Sequence, residues 1–125
     1  MRPLRSPISA LLALALLGIV LVNGACGFDT TPSQILQDPD KFDGKTVTIR
    51  GTVTHLRTTV SRKGNAYYTY DLHDGNRAVR IFSFGKPECS AGVTATVTGL
   101  FTQVKRVSGR TFYNEVEANT TRCSQ

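Results

Sequence analysis

Alternating apolar and polar residues run through most of the sequence beyond its first third. Between Thr46 and Leu56, the apolar Val47, Ile49 and Val53 alternate with threonines and an arginine. A period of two puts neighbouring side chains on opposite faces of an extended chain, so this segment predicts a β-strand with one buried face. The same pattern recurs in four later segments: Ala66 to His73, Ala78 to Phe84, Gly92 to Phe101 and Thr111 to Val116. Five strands of this kind predict an all-β domain.

Turn signals separate the predicted strands. Asp74-Gly75-Asn76 favours a hairpin between the second and third strands, and Val107-Ser108-Gly109-Arg110 predicts the turn before the fifth. Gly99 indicates a bulge or bend late in the fourth strand. The first strand is long and contains Gly51, where it can bend and pair with different neighbours at its two ends. Strands arranged in this way close into a small barrel without a free edge.

One short helix is predicted before the strands. Thr31 is suited to the N-cap, Pro32 to the first helical turn, and Gln34 to reaching back towards the cap as in a capping box. The helix is expected to end at Asp38-Pro39, because the residue before a proline disfavours helical geometry.

The first 26 residues have the organisation of a secretory leader. Arg2 and Arg5 precede a stretch from Ile8 to Val22 that is apolar except for Ser9 and is short for a bilayer crossing. The following VNGAC resembles the bacterial lipoprotein cleavage motif, in which small residues precede a cysteine that is lipidated and becomes the mature N-terminus. This resemblance makes Cys26 the lipid attachment site, although Asn23 stands where the motif has an apolar residue. Ordinary cleavage before this cysteine, giving a freely soluble product, and an uncleaved anchor are the alternatives.

These boundaries predict a signal peptide over 1–25, a linker over 26–30 and one folded domain over 31–125. A chain of 125 residues leaves no room for a second domain. Its 40% hydrophobic content is too high, and its net charge of +6 too small, for a disordered chain. We expect an extracytoplasmic protein, anchored by lipid to a membrane of a bacterial cell envelope, in the periplasm or at the cell surface.

The three cysteines are an odd number for a secreted protein. If Cys26 carries lipid, Cys89 and Cys123 remain as a pair in an oxidising compartment. A disulfide between them would stabilise the fold by roughly 3–4 kcal/mol in the chain-entropy description. The alternative is two unpaired thiols. A metal site is not indicated, because the cysteines have no CxxC or nearby histidine spacing.

The order and content of the strands resemble the OB-fold. The resemblance is carried by DGKTVTIRGTV, YTYDLHDGNRAVRIF, ATVTGLF and TFYNEVEA, and covers about Lys45 to Ala118. It implies a five-stranded Greek-key barrel with a short N-terminal helix, similar to nucleic-acid-binding OB domains and to small extracytoplasmic bacterial OB-fold proteins. The family usually has a helix between strands three and four, but segment 85–92 is too short and too rich in Gly and Pro for one. A disulfide from Cys89 to the C-terminal tail would anchor that loop instead.

The resemblance also implies a ligand groove over strands two and three, bordered by the loop joining strands one and two and the loop joining strands four and five. These loops hold six basic residues: Arg57, Arg62 and Lys63 in the first, and Lys105, Arg106 and Arg110 in the second. Tyr67, Arg80 and Phe82 would face the groove between them, with Phe84 at its end. Such a surface suits single-stranded nucleic acid, because bases stack on aromatic rings and phosphates pair with Lys and Arg.

Catalytic chemistry is not indicated by the sequence. It has no nucleophile, acid–base pair or metal-ligand cluster with adequate spacing, so we expect neither enzyme activity nor a cofactor. His55 and His73 are expected to be turn, surface or packing residues, and Glu115 and Glu117 to lie on a solvated strand face.

The predicted function is that of a monomeric binding module. Its partner is nucleic acid or another polyanion, or alternatively an envelope protein that uses the same face in assembly or stress response. Cations that serve only solubility are a third interpretation.

Overall fold

The computed structural model describes residues 27–124. The predicted leader and the lipid attachment at Cys26 lie outside this range. The described chain runs in the order β1 (Phe28–Asp29), α1 (Pro32–Gln37), α2 (Pro39–Phe42), β2 (Thr46–Val60), β3 (Ala66–His73), β4 (Ala78–Phe84), β5 (Thr94–Val107) and β6 (Arg110–Ser124). Neither helix of this range is long and apolar enough to cross a membrane.

Strands β2 to β6 close a barrel because β2 pairs with two neighbours. Its first half, Thr46 to Thr52, runs antiparallel to β5, and its second half, from Thr52 onwards, runs antiparallel to β3. The two halves meet at Thr52, next to Gly51, where a Cβ atom would lie 2.6 Å from the carbonyl oxygen of His73. Glycine therefore allows the end of β3 to approach β2. The barrel is completed by β3 with β4, β4 parallel to β6, and β6 antiparallel to β5.

This topology confirms the predicted fold class, an all-β, five-stranded Greek-key barrel of the OB type with a short N-terminal helix. Two elements are additional. Phe28 and Asp29, in the segment expected to be a linker, pair parallel with β2 as β1. Pro39, expected to end the first helix, also begins the four-residue α2. Both additions lengthen the N-terminal segment that packs against the barrel.

The inward faces of the strands form the core, as the alternation predicts. The buried side chains come from both helices and from all five barrel strands: Ile35, Phe42, Val47, Ile49, Val53, Tyr68, Tyr70, Leu72, Val79, Ile81, Ala95, Val97, Phe101 and Val116. Burying one large apolar side chain stabilises the fold by about 1.5–3 kcal/mol. Burial also raises the pKa of Tyr70 far above its ordinary value, so its hydroxyl stays protonated.

Strand β2 is longer than the sequence predicts. The alternation favours an end at Leu56, but a bulge between Thr54 and Arg57 carries the strand onwards. His55 lies in this bulge with φ of 55°, in the left-handed region that side-chain-bearing residues rarely adopt. Because the bulge adds one residue to β2, apolar and polar positions no longer alternate there. The sequence pattern therefore does not reveal that the strand continues. Residues 57–69, which include the end of β2, the turn and the start of β3, are called the first arm.

Strands β5 and β6 are also longer than predicted. They continue past the expected ends at Phe101 and Val116. Ser108 and Gly109, both with positive φ, form the predicted turn between them. Residues 102–115, the turn end of this hairpin, are called the second arm. The cations expected in two loops therefore lie mostly in paired strands.

Helix α1 begins as predicted. The Thr31 hydroxyl accepts a hydrogen bond from the Gln34 amide at 3.1 Å, and Pro32 occupies the first turn. The side chain of Gln34 does not complete the capping box, because its Oε1 accepts from the Thr30 hydroxyl at 3.0 Å. The cap is thus made by one of the two expected bonds.

Asp74 fastens α1 to the β3–β4 turn. Its Oδ1 accepts from the amides of Asn76 and Arg77 at 2.9 and 3.0 Å, and its Oδ2 accepts from the amide of Ser33 at 2.8 Å. Burial alone would raise the pKa of Asp74, but hydrogen bonds from these residues hold it well below its ordinary value. An ionised carboxylate therefore joins the helix to the barrel.

Cys89 and Cys123 form the predicted disulfide, with their Cα atoms 5.6 Å apart. The bond ties the β4–β5 segment, which forms no helix, to β6. Cys89 is 5% exposed and belongs to the core. The disulfide thus anchors the segment between β4 and β5, where the sequence analysis expected a loop in place of a helix.

Replacing both Cys89 and Cys123 by serine is expected to lower the free energy of unfolding by about 3–4 kcal/mol, since the unfolded chain regains the entropy of an open loop. Urea unfolding of variant and wild type measures the difference. Reduction of the wild type should reproduce the loss, and alkylation after reduction should label two more thiols than alkylation before it. Equal unfolding midpoints would contradict a stabilising disulfide.

Replacing Asp74 by alanine is expected to cost about 2–3 kcal/mol at neutral pH, because three amides lose a charged acceptor. A depressed pKa in the folded protein means that this contribution is present above the ordinary carboxyl pKa of about 4 and declines as the pH falls. The difference in stability between wild type and variant should shrink progressively below about pH 4. Urea midpoints across this range test it, and a difference independent of pH would refute the ionised role.

Candidate functional site

Three aromatic side chains form an outward-facing cluster on β3 and β4, here called the aromatic floor. Tyr67 lies opposite Phe84 across the two strands, and Phe82 lies opposite Thr69. The ring centroids of Tyr67 and Phe82 are 5.4 Å apart, and those of Phe82 and Phe84 are 5.0 Å apart with the rings nearly perpendicular. Phe84 is 61% exposed. The structure therefore brings together Tyr67, Phe82 and Phe84, the three aromatic residues that the sequence analysis named for the groove.

Lys105 reaches the floor from the second arm. Its Nζ lies 4.8 Å from the ring centroid of Phe82, 3.2 Å from Oε1 of Glu115 and 3.7 Å from Oε1 of Glu117. The residue lies on β5 rather than in a loop, and two carboxylates balance its charge. Of the six cations predicted to border the groove, Lys105 forms ion pairs within the protein.

Glu115 corrects the expectation of a solvated strand face. Its side chain points outwards from the barrel, as the alternation requires, yet the residue is only 4% exposed. Lys105 of the second arm lies against it, whereas the side chain of Glu117 is 46% exposed. A buried carboxylate is stable when a cation pairs with it, and the Lys105 contact supplies that partner.

A second charged cluster surrounds Asp71 on the same face. Arg80 lies opposite Asp71 across β3 and β4, with Nε 3.8 Å from Oδ1. His55 approaches from the bulge in β2, with Nδ1 3.2 Å from Oδ2. His55 is thus placed beside a carboxylate, a contact that the sequence does not reveal because the bulge creates it.

The remaining predicted cations are exposed on the arms: Arg57, Arg62 and Lys63 on the first arm, and Arg106 and Arg110 on the second. Within residues 27–124, none of these five has an ion-pair partner. Only Arg62 and Lys63 stand in a turn, while the other three are held in strands. The arms are therefore basic, and their charges are available to a ligand.

The floor and its surroundings differ electrostatically from the arms. Arg80 and Lys105 on this face are balanced by Asp71, Glu115 and Glu117. The surface can therefore stack planar apolar groups at its centre and pair anions at its sides. Residues 27–124 contain no group of three or more His, Cys, Asp or Glu placed to hold a metal ion.

Comparison with known proteins identifies the fold. No family model matches the sequence, and no curated protein is significantly similar to it. Two solved structures are similar in fold. The crystal structure of yeast Stn1 and Ten1 has a TM-score of 0.63 at 13% identity, covering 82% of this chain and 64% of that one. A Leishmania major protein assigned as an aspartyl-tRNA synthetase has a TM-score of 0.56 at 15% identity, covering 84% and 22%.

This chain thus spans less than two thirds of either protein. At such low identities the likeness concerns the fold alone, and it agrees with the OB-type barrel.

Proposed function

We propose that this chain is a non-catalytic binding module of a bacterial cell envelope that holds an extended anionic ligand, single-stranded nucleic acid in particular. The observation that carries the proposal is the aromatic floor beside two arms, whose five exposed cations have no ion-pair partner among residues 27–124. The leader-like N-terminus and Cys26 support attachment to the membrane by lipid.

The arrangement favours a single strand over a duplex. Unpaired bases expose their faces, which can stack on Tyr67, Phe82 and Phe84, whereas a duplex keeps its bases stacked on one another. Phosphates at the sides of the strand pair with the arm cations and release counterions. Both contacts are independent of sequence, so they supply affinity rather than discrimination.

The similar solved structures add support at the level of the fold. The name of the Leishmania major protein gives tRNA as its substrate, so a barrel of this kind occurs in a protein that acts on nucleic acid. The yeast structure contains two proteins, Stn1 and Ten1. The first case supports the leading proposal, and the second is consistent with a protein partner.

The arm cations can be tested together. Replacing Arg62, Lys63, Arg106 and Arg110 by alanine should weaken binding of a short single-stranded DNA and lower the salt dependence of log K by about 3, since single strands contribute about 0.7 per phosphate contact. Mobility-shift titrations with DNA and with heparin, each at several salt concentrations, measure both quantities.

A control for the position of the charges replaces two cations elsewhere, Arg50 and Arg122, by alanine. These cations face Thr96 across the β2–β5 and β5–β6 ladders, on another side of the barrel. This variant should keep the wild-type salt dependence. Absence of any wild-type shift at low salt with either probe would end the polyanion proposal.

Stacking on the floor can be tested at Phe82. Replacing it by leucine preserves apolar bulk but removes the aromatic face, and should weaken DNA binding by about 1–3 kcal/mol. Phe28 offers a matched control, because it is 56% exposed and also has a lysine close to its ring, with Lys45 Nζ 5.3 Å from the centroid. Phe28→Leu should bind like wild type. Equal losses in the two variants would argue against stacking on the floor.

A protein partner is the second candidate. The three carboxylates around the floor and the exposed apolar side chains of the second arm, Val104, Val107 and Tyr113, favour it. An interface centred on these apolar side chains depends mainly on apolar contact, so its affinity should change little with salt. The salt titration therefore separates the two candidates.

A further inference from the structure

The first described residues are fastened to the barrel. β1 pairs with β2, and the amide of Thr30 then donates to the carbonyl of Thr48 at 3.1 Å. A Cβ atom on Gly27 would lie 2.6 Å from the backbone of Val47, so the backbone of Gly27 lies directly against β2. The segment expected to be a linker therefore has no free length from Gly27 onwards.

This attachment leaves little distance between the barrel and Cys26. Cys26 is bonded to Gly27, and each residue of an extended chain spans at most about 3.6 Å. The Cα atom of Cys26 therefore lies within about 7 Å of that of Phe28. A lipid on Cys26 has its acyl chains in the bilayer, so it would bring Phe28 to the bilayer surface.

Phe28 is suited to such a surface. Its side chain is 56% exposed, and Nζ of Lys45 lies 5.3 Å from its ring centroid. At a membrane interface an aromatic ring enters the boundary of the acyl chains, while the ammonium of a neighbouring lysine stays among the headgroups. The pair of Phe28 and Lys45 therefore has the composition of an interfacial contact.

A cleft of about 620 Å³ continues this surface from Phe28 to α2, and its charged lining residues are Asp29, Asp38 and Lys41. Neither Lys41 nor Lys45 has an ion-pair partner in the part of the chain that the structure describes. Zwitterionic headgroups present a phosphate and an ammonium, so both signs of charge find a partner there. Phe28, Asp29, Asp38, Lys41 and Lys45 are called the N-terminal face.

We propose that the N-terminal face lies on the membrane that holds Cys26, with the Phe28 ring at the level of the headgroups. The inference rests on the lipid attachment in the proposed function, to which it adds the side of the barrel that contacts the bilayer. The contact does not depend on anionic lipids, because α2 also exposes Asp40 and the face has no excess of cations.

Contact through this face leaves the aromatic floor accessible. β1 lies beside Val47, near the start of β2, whereas Tyr67 of the floor lies opposite Thr59, near the end of β2. The N-terminal face and the floor are therefore at opposite ends of one strand. A ligand can reach the floor while the N-terminal face is on the bilayer.

Tryptophan fluorescence can test the contact, because the sequence contains no tryptophan. Phe28→Trp and Phe84→Trp each introduce one, at phenylalanines that are similarly exposed, 56% and 61%. The full chain is produced in bacteria, and its lipid-modified form is reconstituted into phosphatidylcholine vesicles with acyl chains brominated near the headgroups. Quenching should be at least about fivefold greater for Phe28→Trp than for Phe84→Trp, because only the first ring reaches the acyl boundary.

A second variant tests the short connection to Cys26. About ten Gly and Ser residues inserted between Cys26 and Gly27 of the Phe28→Trp protein span about 18 Å on average and let the barrel leave the surface. Quenching should fall at least about twofold while the protein stays attached to the vesicles. Quenching that keeps its full value would overturn the short connection as the cause of the contact.

The outcomes separate this inference from the proposed function. Equal quenching at the two positions, or none at either, in protein that floats with the vesicles would overturn the docked face and leave lipid attachment in place. Greater quenching at Phe84→Trp would mean that the barrel approaches the bilayer with its floor, and would also overturn the inference. Absence of lipid on Cys26 by mass spectrometry would overturn the attachment and the docked face with it. The DNA titrations test single-strand binding independently of all these results.

Discussion

The double pairing of β2 is the constraint on which the rest of the structure depends. A single strand can join β3 and β5 only if it bends without separating from either, and Gly51 allows this where His73 approaches. Gly99 makes a similar close approach to the carbonyl of Glu117, next to the register shift between β5 and β6. Once the barrel is closed, successive side chains along each strand point alternately to the core and to solvent. The floor is therefore a consequence of core formation.

The arms result from strands that are longer than the closed barrel. Beyond it, β2 with β3 and β5 with β6 continue as two-stranded hairpins. An isolated hairpin is only marginally stable, so contacts at its base have a large influence on its direction. Lys105 provides such contacts for the second arm, through Glu115, Glu117 and Phe82. The ion pairs of Lys105 therefore have two effects. They neutralise its charge, so that it attracts an anionic ligand less, and they hold the second arm beside the floor.

Most of the barrel is predictable from the sequence because burial on one face leaves a period of two. β3 and β4 have the predicted bounds, and their inward residues Tyr70, Leu72, Val79 and Ile81 are buried as expected. The first arm is harder to predict from the sequence, since the bulge at His55 interrupts the alternation in β2. The β-branched residues 58–60 were the available signal that β2 continues.

The site is less predictable than the barrel because it depends on contacts between distant parts of the chain. Tyr67 and Phe82 could be placed on one face from their strand positions alone. The neutralisation of Lys105 could not, since it depends on the pairing of β5 with β6, which brings Lys105 beside Glu115. The same holds for Oδ1 of Asn114, which is buried without a hydrogen-bond partner among residues 27–124: neither spacing nor composition indicates it.

The distribution of charge determines how an anionic strand would lie on this surface. Asp71, Glu115 and Glu117 oppose phosphates above the floor, whereas the arms attract them. A strand with its backbone over the floor would bring like charges together, and one with its bases over the floor would place phosphates near the arms. The carboxylates, which at first argue against a polyanion, therefore favour one orientation of it.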